Sequence, residues 1–245
     1  MAFGLPGLRT IMMHTNYDDL WKTKWGDMQQ FGPVHRHLRE SLVRLVRSLD
    51  IRTVLDVGCG SGENLRALAA LGSYELAGVD ISEEALLQAR QLVPGARFVR
   101  LDVQREVLPE TFDLVTSIQV IEHLLADTEA IRGMARMARS HVFISTIQGR
   151  MRSSEKEIGH VRNYSVSELV QKVEAAGLKT LRVWGWGFPF YSPLYRTFSE
   201  WWPGGPPAGA VGPAKQFAAV CLYQLYRLNW PGRGDVLNIL ASKAS

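Results

Sequence analysis

Cysteine is scarce: Cys59 and Cys221 are the only two in 245 residues. A disulfide framework is therefore excluded, and a zinc cluster would need several histidines close to two distant thiols. The usage points to a cytoplasmic chain. Long apolar runs are also missing. No stretch of about 18 apolar residues occurs, so no membrane-spanning helix is expected. The opening Met1–Tyr17 stretch lacks a basic segment followed by an apolar one, so no secretory leader is expected. No internal repeat is present. Charge of one sign is not in excess: 28 basic against 24 acidic residues gives +4. That is no nucleic-acid footprint, and no nucleic-acid partner is expected. What remains is 46% hydrophobic and 21% charged residues, the mix of one globular domain with an appendage.

Residues 1–16 read as a loose leader. Two helices are predicted between Tyr17 and Asp50, the first carrying Tyr17, Leu20, Trp21 and Trp25, the second following Gly32-Pro33. From Thr53 the pattern changes to short β-branched runs separated by helical ones. Strands are predicted at 53–57, 74–79, 97–101, 112–117, 141–146, 178–184 and 235–243. Helices are predicted at 63–71, 83–92, 121–139 and from Ser165 or Ser167 to Ala176. Strands alternating with helices imply an α/β fold, a doubly wound, seven-stranded, mostly parallel sheet. Ligands in such sheets bind beyond the carboxyl ends of the strands. Asp56, Asp80, Asp102 and Gln119 all fall at or just past predicted strand ends.

Three regions follow: an N-terminal helical cap (1–50), a core (51–184 and 235–245) and an insert (185–234). The insert crowds Trp184, Trp186, Phe188, Phe190, Tyr191, Tyr195, Phe198, Trp201 and Trp202 into 19 residues. Pro203 to Pro207 follow, then an apolar helix from Ala214 to about Trp230. Large aromatics suit a pocket or an interface. With Tyr17, Trp21 and Trp25, the insert residues Trp186 and Tyr191 form a candidate lid over a small-molecule substrate. The apolar helix also suits contact with a membrane surface.

Asp56-Val57-Gly58-Cys59-Gly60-Ser61-Gly62 joins the first strand to a helix. Glycines there permit a tight turn and close approach of a ligand. A dinucleotide fingerprint would place its third glycine at 63, where Glu63 stands. Asp56 would repel a phosphate but suits an ammonium group.

Leu55 to Gly62 resembles motif I of class I S-adenosylmethionine-dependent methyltransferases. Gly78-Val79-Asp80-Ile81-Ser82 resembles the family's acidic residue after strand two, and Leu101-Asp102-Val103 its adenine-side motif. Phe112-Asp113-Leu114-Val115, running to Glu122-His123-Leu124, resembles motif IV of the small-molecule branch, including ubiquinone-pathway O-methyltransferases. The resemblance implies S-adenosyl-L-methionine as cofactor and methyl transfer to an O or N atom of a hydrophobic or aromatic small molecule. It implies that Asp80 takes the ribose hydroxyls, Ile81 packs on adenine, and Asp102 and the Val103 N–H read the adenine edge. Gly58, Gly60, Ser117 and Gln119, with Asp56, would hold the methionine end. His160, with an ordinary pKa near 6.5, is the candidate base, and His123 lies beside the methionine end or acceptor. Related enzymes with Glu-x-x-Glu-His in motif IV hold a divalent cation. Here Gln119 replaces the first carboxylate, so no metal is expected; Glu122, His123 and His160 are the ligands if one binds. A protein that keeps the fold without catalysis is the alternative.

Overall fold

The computed structural model describes residues 17–72, 74–201 and 212–243. The leader and the Trp202–Pro207 stretch lie outside the described residues. Helices α1 (Tyr17–Leu20), α2 (Gly26–Phe31) and α3 (Pro33–Arg47) open the described chain, with a π-helical turn, Trp21–Trp25, between the first two. The single first helix expected from sequence is thus three short pieces. Pro33 starts α3 with the φ a helix requires and no N–H to leave unpaired. Its Leu38, Leu42 and Val46 stripe is buried.

The α/β region follows as β1 (Thr53–Val57), α4 (Glu63–Ala69), β2 (Glu75–Asp80), α5 (Glu83–Leu92), β3 (Arg97–Arg100), β4 (Phe112–Ile118), α6 (Asp127–Met137), β5 (Ala138–Ile147), α7 (Ser153–Glu157), α8 (Val166–Ala175) and β6 (Leu178–Trp186). Then come α9 (Arg196–Trp201), α10 (Pro213–Tyr226) and β7 (Val236–Lys243). The seven strands form one sheet in the order β3-β2-β1-β4-β5-β7-β6. Only β7 runs against its neighbours, pairing antiparallel with β5 and β6. Helices cover both faces of the central strands, so β1 and β2 are buried almost throughout.

Local chemistry sets the boundaries. Ser82 caps α5 by accepting the Ala85 N–H, and Ser165 caps α8 by accepting the Glu168 N–H. The predicted 121–139 helix is shorter: a 3-10 turn at Ile121–His123 precedes α6. That break aims His123 at the cavity instead of into a helix face. Helix α7 was not predicted, because five polar residues carry no periodic apolar signal.

The sheet order puts the carboxyl ends of β1, β2, β3 and β4 along one edge. Register pairs Asp56 with Gly78 and Asp80 with Arg100. The switch point between β1 and β4 lies in the middle of that edge.

Candidate active site

A continuous cavity of about 310 Å³ opens along this edge. Its first end is built by the turn after β1. Gly58, Gly60 and Gly62 all have left-handed φ (+71°, +54° and +84°). A Cβ on Gly58 would lie 2.3 Å from Val120 Cγ2. Asp80, at the tip of β2, accepts the Gly60 N–H through Oδ2 and the Ser82 N–H through Oδ1, both at 2.9 Å. These bonds orient the carboxylate and leave lone pairs toward the cavity. Burial pushes its pKa up, and the N–H donors pull against that. Asp102, beyond β3, also lines the cavity and accepts the Gln104 N–H at 3.1 Å. Ile81, Leu101 and Val103 form an apolar slot between the two acids. Two carboxylates at one end disfavour a phosphate and favour hydroxyl, amine and sulfonium groups.

The N-terminal helices close this end. Asp18 accepts the Ser82 hydroxyl at 2.5 Å and the Glu84 N–H at 3.2 Å. Gln29 accepts the Ser61 N–H and hydroxyl at 3.2 and 3.0 Å. Trp21 is buried against Gly60, and Tyr17 faces Asp80 and Asp102, which with burial raise its pKa. Tyr17 and Trp21 thus lie at the acidic end, not over the far lobe where a substrate role would put them.

Gly58, Asp80, Ile81, Asp102, Val103 and Gln119 line the cavity; Asp56, Gly60 and Ser117 do not. Asp56 points into the protein. It accepts the Thr116 hydroxyl at 2.7 Å and the Asn64 amide at 3.3 Å, and burial pushes its pKa to about 6. Gly60 is screened by Trp21 and turns its N–H to Asp80. Ser117 is fully buried. Gln119 lines the wall in a left-handed conformation (φ 59°), and its Nε2 has no hydrogen-bond partner among the described residues.

His123 and His160 line the middle of the cavity with Glu122 buried behind them, and the ligating atoms of the three all lie within 4.8 Å of one another. The His123 and His160 rings meet edge to face at 4.6 Å, and Trp25 packs on His123 at 5.4 Å. Backbone bonds hold the His160 loop in place: its N–H donates to Glu155 O and the Val161 N–H to Glu122 O, both at 2.9 Å. Burial lowers His160 to about 4, opposed by the Glu155 charge. The ordinary value assumed from sequence is therefore corrected downward. Burial likewise lowers His123 to about 3. Both rings are neutral at neutral pH, so each presents a nitrogen lone pair. Glu122 is fully buried, accepts the Thr146 hydroxyl at 2.9 Å, and is pushed up to about 7 by burial. Its Oε1 and both Nδ1 atoms lack partners among the described residues. One carboxylate and two neutral imidazoles fit a divalent cation.

Beyond His160 the cavity becomes apolar, with Trp25, Met28, Phe31 and Val34 facing Ile158, Tyr191 and Tyr195. Lys215 and Ala219 of α10 complete this wall. Trp186 does not line the cavity. It stacks behind the wall on Tyr191 at 5.9 Å and His37 at 4.9 Å. Glu155, Phe31, Val34 and Lys215 reach the cavity without any motif to announce them.

Residues 54–141 match the family model of a methyltransferase domain. A ubiquinone biosynthesis O-methyltransferase of Pseudomonas putida (strain GB-1) is 35% identical over 135 residues, 51% of this chain and 58% of that protein. One from Hydrogenovibrio crunogenus is 27% identical over 148 residues, 56% of this chain and 61% of that protein. The chain thus spans about three fifths of these relatives' length. Among solved structures, a magnesium protoporphyrin IX methyltransferase from Synechocystis, with bound S-adenosylhomocysteine, superposes with a TM-score of 0.56 at 16% identity, over 86% of this chain and 83% of that one. The 4+2 cyclase SpnF superposes at 0.58 and 20% identity, over 85% and 81%. A methyltransferase domain is thus a scaffold on which the residues of the site decide the chemistry. A methyltransferase domain would use S-adenosylmethionine as its cofactor. Asp80, Asp102, the Ile81–Val103 slot, the Gly58 cradle and the unpartnered Gln119 amide fit its ribose, adenine and methionine parts.

Proposed function

We propose that the protein transfers a methyl group from S-adenosylmethionine to an O or N atom of a hydrophobic or aromatic small molecule. The observation that carries this is the continuity of the cavity: the acidic end built for the cofactor opens directly onto an apolar lobe, with two neutral imidazoles between. When bound, the cofactor supplies an activated methyl group. The chain's task is then to orient the acceptor, exclude water and take up a proton where the acceptor carries one. Asp80 and Asp102 hold the hydroxyls and the adenine amine, while Gly58 and Gln119 face the methionine end. Trp21 and Tyr17 seal that end from solvent. Trp25, Phe31, Tyr191 and Tyr195 align the acceptor, and alignment alone supplies roughly 7–11 kcal/mol of barrier lowering. His160 receives the acceptor's proton, its loop held by the Glu155 and Glu122 carbonyls. Calorimetry with S-adenosylmethionine, followed by mass-spectrometric screening of metabolites for methylated product, tests the reading. Absence of cofactor binding would overturn it and favour a non-catalytic protein on the same fold.

The convergence of Glu122, His123 and His160 supports a second reading of the same centre, in which these three side chains would hold a divalent cation and the cation would supply Lewis-acid chemistry to the acceptor. Turnover that a chelator abolishes, a divalent cation restores and Glu122→Gln removes supports it. Turnover indifferent to chelation leaves the imidazoles as proton acceptors.

Helix α10 turns Tyr223 and Tyr226 inward and leaves Phe217 and Val220 exposed, with the exposed Leu228 and Trp230 just beyond. Lys215, Arg227 and Arg233 lie along this stretch, and no acid occurs between 213 and 234. This supports contact of the insert with an anionic bilayer surface, beside the lobe's wall. Co-sedimentation with anionic but not neutral vesicles, lost in Phe217→Ser/Leu228→Ser, checks it.

A further inference from the structure

We infer that the acceptor carries a carboxylate, and that Lys215 with the hydroxyls of Tyr191 and Tyr195 receives it. The inference rests on the methyl-transfer reading and concerns which molecules the apolar lobe admits.

Charge in the cavity is divided unevenly. Asp80 and Asp102 stand at the cofactor end. In the lobe, burial keeps His35 neutral near pH 7. Glu155 is the lobe's one acid among the described residues, and its oxygens are already engaged. Oε1 accepts the Arg196 guanidinium; Oε2 accepts the Arg152 N–H and the Asn163 amide, both at 3.0 Å. Lys215 is the one cationic side chain lining the cavity among the described residues, and it makes no ion pair or hydrogen bond with any of them.

Two more donors share its wall. Tyr191 and Tyr195 stack at 6.4 Å, and Tyr226 braces both from behind at 5.7 and 6.0 Å. Neither hydroxyl has a partner among the described residues. Burial raises both phenols, so they remain protonated and able to donate. A solvent-exposed ammonium and two partly buried hydroxyls, all lining the cavity and with no acceptor among the described residues, match a negatively charged oxygen group on the ligand. Charge-assisted bonds of this kind are about twice as strong as neutral ones. An amine-bearing acceptor meets repulsion from Lys215 instead.

The test uses the full chain saturated with S-adenosylhomocysteine and calorimetry with matched probes: 4-hydroxybenzoate and 3,4-dihydroxycinnamate, their uncharged amides, and 4-hydroxyphenethylamine. The acids are expected to bind at least about tenfold tighter than the amides, a ratio equal to about 1.4 kcal/mol. Lys215→Gln should bring that ratio to within about twofold, and Lys215→Glu should turn the preference to the amine. Tyr195→Phe should weaken the acids alone, by a few fold. Cofactor affinity should hold in all three variants; its loss in the wild-type chain would refute the methyl-transfer reading instead. Equal binding of acid and amide, an acid preference that survives Lys215→Gln, or binding of no acid in the panel would each overturn the inference.

Discussion

Asp56 distinguishes a cofactor ligand from a structural carboxyl, and pH separates the two. Its side chain is 1% exposed, and burial raises its pKa from 3.8 to about 6, against the Thr116 and Asn64 hydrogen bonds. A folded value above the unfolded one means that the folded state binds the proton more tightly. The stability this proton contributes is fully present below about pH 4 and is lost as pH rises through about 6. At about 1.36 kcal/mol per pH unit, the whole loss is about 3 kcal/mol. Asp56→Asn removes the titration and leaves a neutral group of the same shape. The stability of Asp56→Asn relative to wild type should therefore rise by about 2 kcal/mol between pH 4.5 and 7.5, the part of the window accessible to urea denaturation. How well the amide itself packs does not enter, because that contribution is the same at both pH values. Affinity for S-adenosylhomocysteine should stay within about threefold, since the carboxyl faces Thr116 and Asn64 rather than the cavity. A stability difference that is flat with pH would refute the burial argument, and a loss of cofactor binding as large as that of an Asp80 variant would refute the structural role.

Asp80→Asn should weaken S-adenosylhomocysteine at least about tenfold by calorimetry, the cost of a charge-assisted hydrogen bond to a hydroxyl. His160→Ala should lower turnover by about 10²–10⁴, the range for a lost proton acceptor, with cofactor affinity unchanged. Unaltered turnover would remove His160 from the reaction. Trp21→Ala should speed release of S-adenosylhomocysteine in stopped flow more than it changes association, because the ring covers the turn at Gly60. Gly58→Ala should cost about 2–4 kcal/mol in urea denaturation, from its left-handed φ and the overlap with Val120. The double variant with Val120→Ala should recover the overlap part only.

The fold was legible because the strongest signals are local. A β-branched run ending in glycine, an acid at the next strand end and a serine before an acidic helix turn each dictate structure within a few residues. Asp80, Ile81, Asp102 and Val103 reach the cavity for that reason: each sits at a strand tip whose direction the parallel topology sets. Asp56 was misjudged because β1 is buried on both faces, so alternation carries no information about which side faces a ligand. Trp186 and Tyr191 show the same limit in the insert. Both are aromatic and five residues apart, yet only Tyr191 reaches the cavity, because Trp186 ends β6 and turns toward His37.

The reaction centre depends on contacts that no local pattern encodes. His160 lies 37 residues beyond His123 and meets it because α7 folds the intervening chain back. Helix α7 is itself held at a distance. Glu155 binds Arg196 of α9, and Arg196 also binds Asp235 just before β7. One guanidinium thus ties the His160 loop, the insert and the start of the final strand together while taking up the charge of the lobe's one acid among the described residues. Removing Arg196 would leave Glu155 buried with an unmet charge facing the apolar lobe, where repelling an anionic acceptor is its simplest consequence. The feature that fixes the geometry of the candidate base therefore also sets the sign of charge the lobe can accept.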